Sequence, residues 1–313
     1  MYDLLIIGGG PAGASAAVYA ARKRLKTLMI LEDWGGQSAI SSEVQNWIGT
    51  PAISGADLAD SLKKHVEAYK GEYLEIKPRV RASALEPADD KVMITLSNGE
   101  KVEGKTALVT TGANRRKLEV PGAAEFDQKG LTYCASCDGP LFADKDVAVI
   151  GGGNAAFETA LQLLAYCKTV YLINRTENFR ADEITVASAK AKPNMRIVTN
   201  AEMVSVDGEQ FVSGITYKNP QTGEVTKLPV EGVFVEIGLL PNTEWIGTAL
   251  EKNQVGQIVV DPKSQRTSHP RIWAAGDCTN GLYHQNNIAA GDAVKALEDV
   301  YMFIHRGAEA PTP

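Results

Sequence analysis

Leu4-Leu5-Ile6-Ile7-Gly8-Gly9-Gly10-Pro11-Ala12-Gly13 is the stretch on which the fold turns. Four consecutive apolar residues suit a strand buried on both faces of a parallel sheet. Gly8, Gly10 and Gly13 then form G-x-G-x-x-G, with Pro11 inside the turn, and the alanine-rich run 14–21 favours a helix. Residues 27–31 read as the next strand, which ends at Glu32, nineteen positions after Gly13. Glycines permit the tight turn, the close approach of a pyrophosphate and close helix–strand packing. The helix N-terminus then faces the phosphates, and the acid accepts from a ribose hydroxyl. The glycine pattern alone is weak; strand, turn, helix, strand and acid in that order specify a dinucleotide site.

The unit recurs. Val147-Ala148-Val149-Ile150 is a second buried strand, and Gly151-Gly152-Gly153-Asn154-Ala155-Ala156 is a G-x-G-x-x-A turn. A helix is expected to about Tyr166 and a strand over 170–173. Here the acid is missing. The strand runs into Asn174-Arg175-Thr176, with Glu177 and Arg180 following. A 2′-hydroxyl calls for a carboxylate and a 2′-phosphate for guanidinium groups, so Arg175 and Arg180 favour NADPH over NADH. The competing reading makes both arginines solvated surface residues.

Just ahead of this second turn lies Tyr133-Cys134-Ala135-Ser136-Cys137-Asp138-Gly139-Pro140. Cysteines at i and i+3 on one helical turn have Cβ atoms about 5–6 Å apart. A small adjustment reaches the roughly 3.8 Å of a disulfide. A bond closing so short a loop removes little unfolded-state entropy. Its use is therefore chemical, cycling between dithiol and disulfide by thiolate attack. Asp138 is placed to move the proton that exchange requires. The alternatives are a zinc half-site or buried thiols. Zinc needs about four ligands at compact spacing, whereas Cys167 and Cys278 are isolated and no histidine lies near the pair. Those two cysteines are expected to pack as small apolar residues.

At 313 residues the chain suggests about two domains. Its 44% hydrophobic and 22% charged residues are ordinary for a globular protein. A net charge of −6 gives no reason to bind nucleic acid or an anionic membrane. No apolar run approaches the roughly 18 residues of a membrane span. The opening Met1-Tyr2-Asp3 enters the first strand at once, which argues against a signal peptide. Four cysteines make no disulfide scaffold, so a cytoplasmic location is expected.

Elsewhere, 54–69 reads as an amphipathic helix and 80–98 as β-structure, with Ser97-Asn98-Gly99-Glu100 as a hairpin turn. A buried strand over 107–113 ends in Thr111-Gly112-Ala113, where backbone can approach a ligand. Asn114-Arg115-Arg116-Lys117 reads as a solvated loop. Val120-Pro121-Gly122 and 238–243 read as domain crossings. Ile272-Trp273-Ala274-Ala275-Gly276-Asp277 is a strand ending in a glycine and a carboxylate, the latter either a ribose or ribityl acceptor or a cap. A helix over 289–303 closes the fold, and the Pro-containing tail is expected to be mobile.

Taken together, the glycine-rich turns, Gly35-Gly36-Gln37, 134–142, 237–243 and 274–279 resemble the low-molecular-weight thioredoxin reductases. They are still more similar to the C-terminal reductase part of the alkyl hydroperoxide reductase flavoprotein subunit, without its N-terminal thioredoxin-like region. The resemblance implies an α/β protein of two Rossmann-like, three-layer domains, the second inserted in the first. An FAD domain would span 1–115 and 246–313, and a pyridine-nucleotide-type domain carrying the cysteines would span 116–245. It implies FAD, a homodimer, a domain rotation, and a thioredoxin-like partner protein. Cys137 would face the isoalloxazine, Cys134 would attack the partner disulfide, and Asp138 would be the acid. Gly36, Gln37, Asn46, Asp277 and Gln285 would contact FAD, with His284 where an arginine is usual. One arginine of the family's nucleotide set is replaced, and Ile48 stands where proline is common. Three functions therefore compete. The first is an NADPH-driven, FAD-dependent disulfide reductase, with NADH as a possible donor. The second is the same chemistry fed by ferredoxin or another flavoprotein, using neither nucleotide. The third is a flavin-binding redox sensor.

Overall fold

A computed structural model describes residues 1–41 and 43–306 of the chain. The tail from Gly307 lies outside the described residues. The chain divides into two compact units, Met1–Asn114 with the stretch from Leu240 onward, and Arg115–Leu239.

The first unit begins with β1 (Tyr2–Ile7), α1 (Pro11–Arg22) and β2 (Thr27–Ile30). It continues through α2 (Gly55–Glu67), β3 (Leu74–Lys77), β4 (Ala82–Pro87), β5 (Val92–Leu96) and β6 (Lys101–Val109). The strands order as β3-β2-β1-β6-β5-β4. β3, β2, β1 and β6 run parallel, whereas β4, β5 and β6 pair antiparallel. β2 is buried at every position, with the Thr27 hydroxyl satisfied by donating to the Leu25 carbonyl at 2.9 Å. Ser54 caps α2 by accepting from the Asp57 N–H at 3.0 Å. The turn at 97–100 forms as expected, with Gly99 at φ 84°.

β7 (Ala113–Arg115) carries the chain into the second unit. There β8 (Leu131–Thr132), α3 (Ala135–Asp138), β9 (Asp146–Ile150), α4 (Asn154–Leu163) and β10 (Thr169–Ile173) come in turn. Next are α5 (Glu183–Lys190), β11 (Met195–Val198), β12 (Glu202–Gly208), β13 (Val212–Lys218), β14 (Val225–Pro229) and β15 (Gly232–Val235). A parallel sheet orders β11-β10-β9-β15-β8, and β12-β13-β14 form a separate antiparallel sheet. The return passage is β16 (Leu239–Pro241), paired with β7.

Back in the first unit, β17 (Ile272–Ala274) pairs parallel with β6, and α6 (Asn286–Arg306) completes the fold. α1 and α6 meet through Ala16, Ala17, Ala20, Ala293 and Ala296, all buried. Side chains this small let two helices lie close. Among the described residues no helix is long and apolar enough to cross a membrane.

Two local expectations need correction. Val120-Pro121-Gly122 is not a crossing; it lies inside the second unit, where the Val206 N–H donates to the Pro121 carbonyl at 2.9 Å. Gly122, at φ 82°, has no space for a Cβ beside the Val206 carbonyl, so it serves a turn packed on β12. Arg115 is not a solvated loop residue; it ends β7 and pairs with Glu236 at 3.5 Å.

Phe157 anchors the core of the second unit. It is fully buried, and its ring meets Phe179 edge-on at 5.0 Å. Phe157→Ala is expected to cost about 3–5 kcal/mol. Urea unfolding followed by circular dichroism checks this, and a loss under about 1 kcal/mol contradicts the packing.

Candidate active site

The first unit brings one group of expected residues together around its glycine-rich turn. Gly8 sits at φ 129°, and a Cβ there would collide with the Thr110 carbonyl. A Cβ on Gly13 would strike the Gly8 carbonyl. Gly10 precedes α1 and faces Gly36, whose Cα lies 3.8 Å from where a Gly10 Cβ would be. Pro11 takes the first helical position, where a missing N–H costs nothing. The gap between the Gly10 and Gly36 backbones, at the N-terminus of a twelve-residue helix, is of the kind that admits a diphosphate.

Beyond that gap, Gly276 turns at φ 79° with the Ala12 and Ala289 side chains beside it. The Asp277 carboxylate accepts from Gln37 Nε2 at 3.4 Å and faces His284 Nδ1 at 3.5 Å. Asn46 Nδ2 donates to Gln285 Oε1 at 3.1 Å. Asn287 Nδ2 donates to the Asn46 carbonyl at 2.7 Å, and Ser38 Oγ to Asn286 at 2.9 Å. Gln37, Asn46, Asp277, His284 and Gln285 thus converge where α6 begins. Thr111 and Gly112 are strapped by Asn242: Thr111 Oγ1 donates to the Asn242 carbonyl at 2.8 Å, and Asn242 Nδ2 returns a bond to the Thr111 carbonyl at 2.9 Å. Gly112, at φ 62°, has open space where a Cβ would stand. Glu32 lies just past β2 and ion-pairs with Arg81. These residues fit FAD: a small-residue cradle for its diphosphate, an acid for its ribose, and a ring of polar groups at a helix start. The sequence alone singles out none of Arg81, Asn242, Asn286 and Asn287.

The second unit holds the other group. Gly151, at φ 146°, has the Glu236 carbonyl where a Cβ would stand, and Ala156 packs against it fully buried. Gly153 precedes α4 with open space above it. Asn154 opens α4, its Oδ1 accepting from the Asp182 N–H at 2.8 Å. Asn174, at the end of β10, is buried, and its Nδ2 donates to the carbonyls of Thr176 at 2.7 Å and Asn178 at 3.1 Å. Its carboxamide is therefore engaged in shaping the loop that presents Arg175 and Arg180, both exposed. The Arg180 N–H anchors that loop on the Gly152 carbonyl at 2.8 Å. Below the turn, Glu236 accepts from Thr159 Oγ1 at 3.0 Å. Burial raises the Glu236 pKa, and nearby Arg115 only partly opposes this.

Cys134 and Cys137 are joined as a disulfide with Cα atoms 5.3 Å apart. The sulfurs hold each other, which leaves neither to a metal. Cys134 caps α3, its sulfur accepting the Cys137 N–H at 3.2 Å. Thr132 Oγ1 accepts the Cys134 N–H at 3.3 Å and donates to the Asp138 carboxylate. Burial raises the Asp138 pKa, with the Thr132 bond opposing it. Thr132 carries no local sequence signal; the hydrogen bonds alone reveal it. Cys167 and Cys278 are buried, and burial pushes each thiol up to about 11, so they remain protonated and unreactive.

Comparison with known proteins places this geometry. The family described as pyridine nucleotide-disulphide oxidoreductase matches residues 2–296. A Bacillus subtilis protein named NADH dehydrogenase is 42% identical over 305 residues, covering 97% of this chain and 59% of that protein. An alkyl hydroperoxide reductase subunit of Staphylococcus aureus is 39% identical over the same shares. The chain thus spans about 59% of the length of these curated relatives. Thioredoxin reductase from Streptococcus pyogenes superposes with a TM-score of 0.90 at 33% identity, covering 98% of this chain and 99% of that one. Two dinucleotide turns, a disulfide one helical turn long and a family match over nearly all its residues show that this chain belongs to the pyridine nucleotide-disulphide oxidoreductases.

Proposed function

We propose that this chain is an FAD-dependent disulfide reductase that passes electrons from NADPH through Cys134–Cys137 to a thioredoxin-like protein. The observation that carries the reading is the closed Cys134–Cys137 bond beside the half-buried Asp138 carboxyl, in a unit whose parallel sheet bears a dinucleotide turn. The first unit is the FAD domain, and the second is the pyridine-nucleotide domain. FAD, when bound, accepts a hydride from the nicotinamide and returns two electrons to a disulfide.

The protein's own residues do the rest. Breaking the Cys134–Cys137 bond takes two electrons and two protons and leaves a dithiol. Asp138, whose pKa burial raises above the usual carboxylate range, is placed to supply a proton to the departing sulfur. Cys134 is the sulfur that attacks the partner disulfide. The Cys137 N–H pointing at it stabilises a thiolate there. Cys137 would be the sulfur that takes electrons from the flavin. Arg175 and Arg180, with no carboxylate at the end of β10, suit a 2′-phosphate. Exposed Ile48, Leu282 and Tyr283 near the start of α6 support burial against a second copy, a homodimer. The two protonated thiols beside a single reactive disulfide suit the reducing cytoplasm.

A ferredoxin-fed version of the same chemistry rests on the single arginine directly after Asn174. Anaerobic titration decides between them. NADPH is expected to bleach the flavin at about tenfold lower concentration than NADH, and Arg175→Ala with Arg180→Ala to erase that preference, about 1.4 kcal/mol. A flavin that neither nucleotide reduces overturns the nucleotide reading. Turnover of a thioredoxin disulfide, lost in Cys134→Ser, separates a reductase from a sensor.

Asp138 gives a further expectation. Its folded pKa lies above the unfolded value, so its contribution to stability is fully present below the unfolded pKa. That contribution is lost as pH rises through the raised folded value. Asp138→Asn is expected to remove this part of the pH slope and to slow partner reduction about 100-fold. Urea midpoints and turnover across about pH 4–8, variant against wild type, check both.

A further inference from the structure

We propose that Gln162 is a positioning residue for the redox pair: it fixes the two residues between the cysteines and so sets how readily the Cys134–Cys137 bond is reduced. The inference rests on the pair being redox-active, as proposed above.

A single carboxamide on α4 engages both intervening residues. Gln162 Nε2 donates to the Ala135 carbonyl at 3.2 Å, and Gln162 Oε1 accepts from Ser136 Oγ at 3.2 Å. Both polar ends of the side chain are thus committed, each to a different residue. One turn further along, the platform continues sterically. A Cβ on Gly139 would strike the Tyr166 hydroxyl and would lie 3.2 Å from Leu163 Cδ2. The Tyr166 hydroxyl is buried without a well-formed hydrogen bond among the described residues. Burial raises its pKa, and the Gln162 carboxamide beside it opposes that only in part. Ala135 is buried in the same core cluster as Leu163 and Phe142. α3 has only four residues, too few to hold a helical turn by itself. Its shape is therefore imposed by α4.

Reduction adds two electrons and two protons, breaks the S–S bond and lets the sulfurs separate to van der Waals distance. A dipeptide held in the closed turn keeps each thiol at high effective concentration for the other and favours the bond. A loosened dipeptide favours the dithiol. Neither Gln162 nor Ser136 needs to touch flavin, nucleotide or partner for this to operate.

The test equilibrates the FAD-loaded protein in graded dithiothreitol or glutathione buffers and counts oxidised pairs by thiol alkylation and mass. Gln162→Ala is expected to shift the equilibrium about tenfold toward the dithiol, roughly 30 mV for a two-electron couple. Ser136→Ala is expected to give part of that shift, and the double variant no more than Gln162→Ala alone. Gln162→Glu, which still accepts from Ser136 but no longer donates to Ala135, is expected to fall between. An unchanged equilibrium in Gln162→Ala, or shifts that simply add in the double variant, overturns the inference. If Gln162→Ala does not fold, Gln162→Glu and Ser136→Ala decide by the same readout. A wild-type pair that no buffer reduces defeats the functional reading itself, an outcome distinct from a normal pair indifferent to Gln162.

Discussion

Both dinucleotide turns depend on the absence of a side chain where a neighbouring strand closes in. At Gly8 the space is taken by the Thr110 carbonyl at the end of β6, and at Gly151 by the Glu236 carbonyl at the end of β15. In each unit the strand that fills the space pairs parallel with the strand that leads into the turn, β6 with β1 and β15 with β9. The glycine is thus required by a partner that arrives far along the chain, and strand order and turn chemistry are one constraint. A positive φ reinforces it, since both glycines sit where other residues rarely go. What remains above the turns is backbone at a helix start, open at Gly153 and facing only the Gly36 backbone at Gly10.

The same constraint explains which parts of the fold are legible in the sequence. Continuous apolar runs such as 4–7 and 147–150 mark strands buried on both faces, and the glycine spacing marks the turn after each. The antiparallel sheet β12-β13-β14 has no comparable signal. β14 alternates between exposed and half-exposed positions, with Val225 itself exposed, so there is no clean apolar face to read. β8 and β16, of two and three residues, are too short to show any period. Arg115 misleads for a related reason. A run of basic residues looks solvated until a buried carboxylate, Glu236, arrives from another strand.

The site is legible in unequal parts. The glycines, Glu32 and the cysteines announce themselves because their chemistry is local. Asn46 and Gln285 meet across a sequence separation of 239 and Gln37 and Asp277 across 240, so only resemblance to a family could nominate Asn46, Gln37 and Gln285. Thr132 shows the opposite limit. It lies two residues before Cys134, yet nothing in its identity distinguishes it from any strand threonine. Its importance comes from accepting the Cys134 N–H while donating to Asp138, which links the cysteine turn to its acid through one hydroxyl. Burial then separates the chain's functional groups by protonation. Asp138 is held toward its neutral form, a state useful to a proton donor, while Cys167 and Cys278 at about 11 cannot compete as nucleophiles.

α4 unites these threads within the second unit. Its N-terminus is the outlet of the Gly151–Gly153 turn, and its last turn carries Gln162 and Leu163 against the cysteine helix. Ten residues at about 1.5 Å each make a rod of about 15 Å. The nucleotide turn and the cysteine pair therefore share one rigid element, and their separation is set by helix length rather than by loop conformation. That division of labour explains the residue types. The N-terminal end opens above Gly153, while Asn154 holds the Asp182 N–H and Ala156 packs beneath against Gly151. The C-terminal end is built from Gln162, Leu163 and, just beyond it, Tyr166, which fill space around a one-turn helix that could not hold its own shape. A sequence pattern shows the first end because glycine is diagnostic there. It does not show the second, because a glutamine on a helix face becomes a clamp only when the phase of α4 brings it opposite Ala135 and Ser136, 27 and 26 residues upstream.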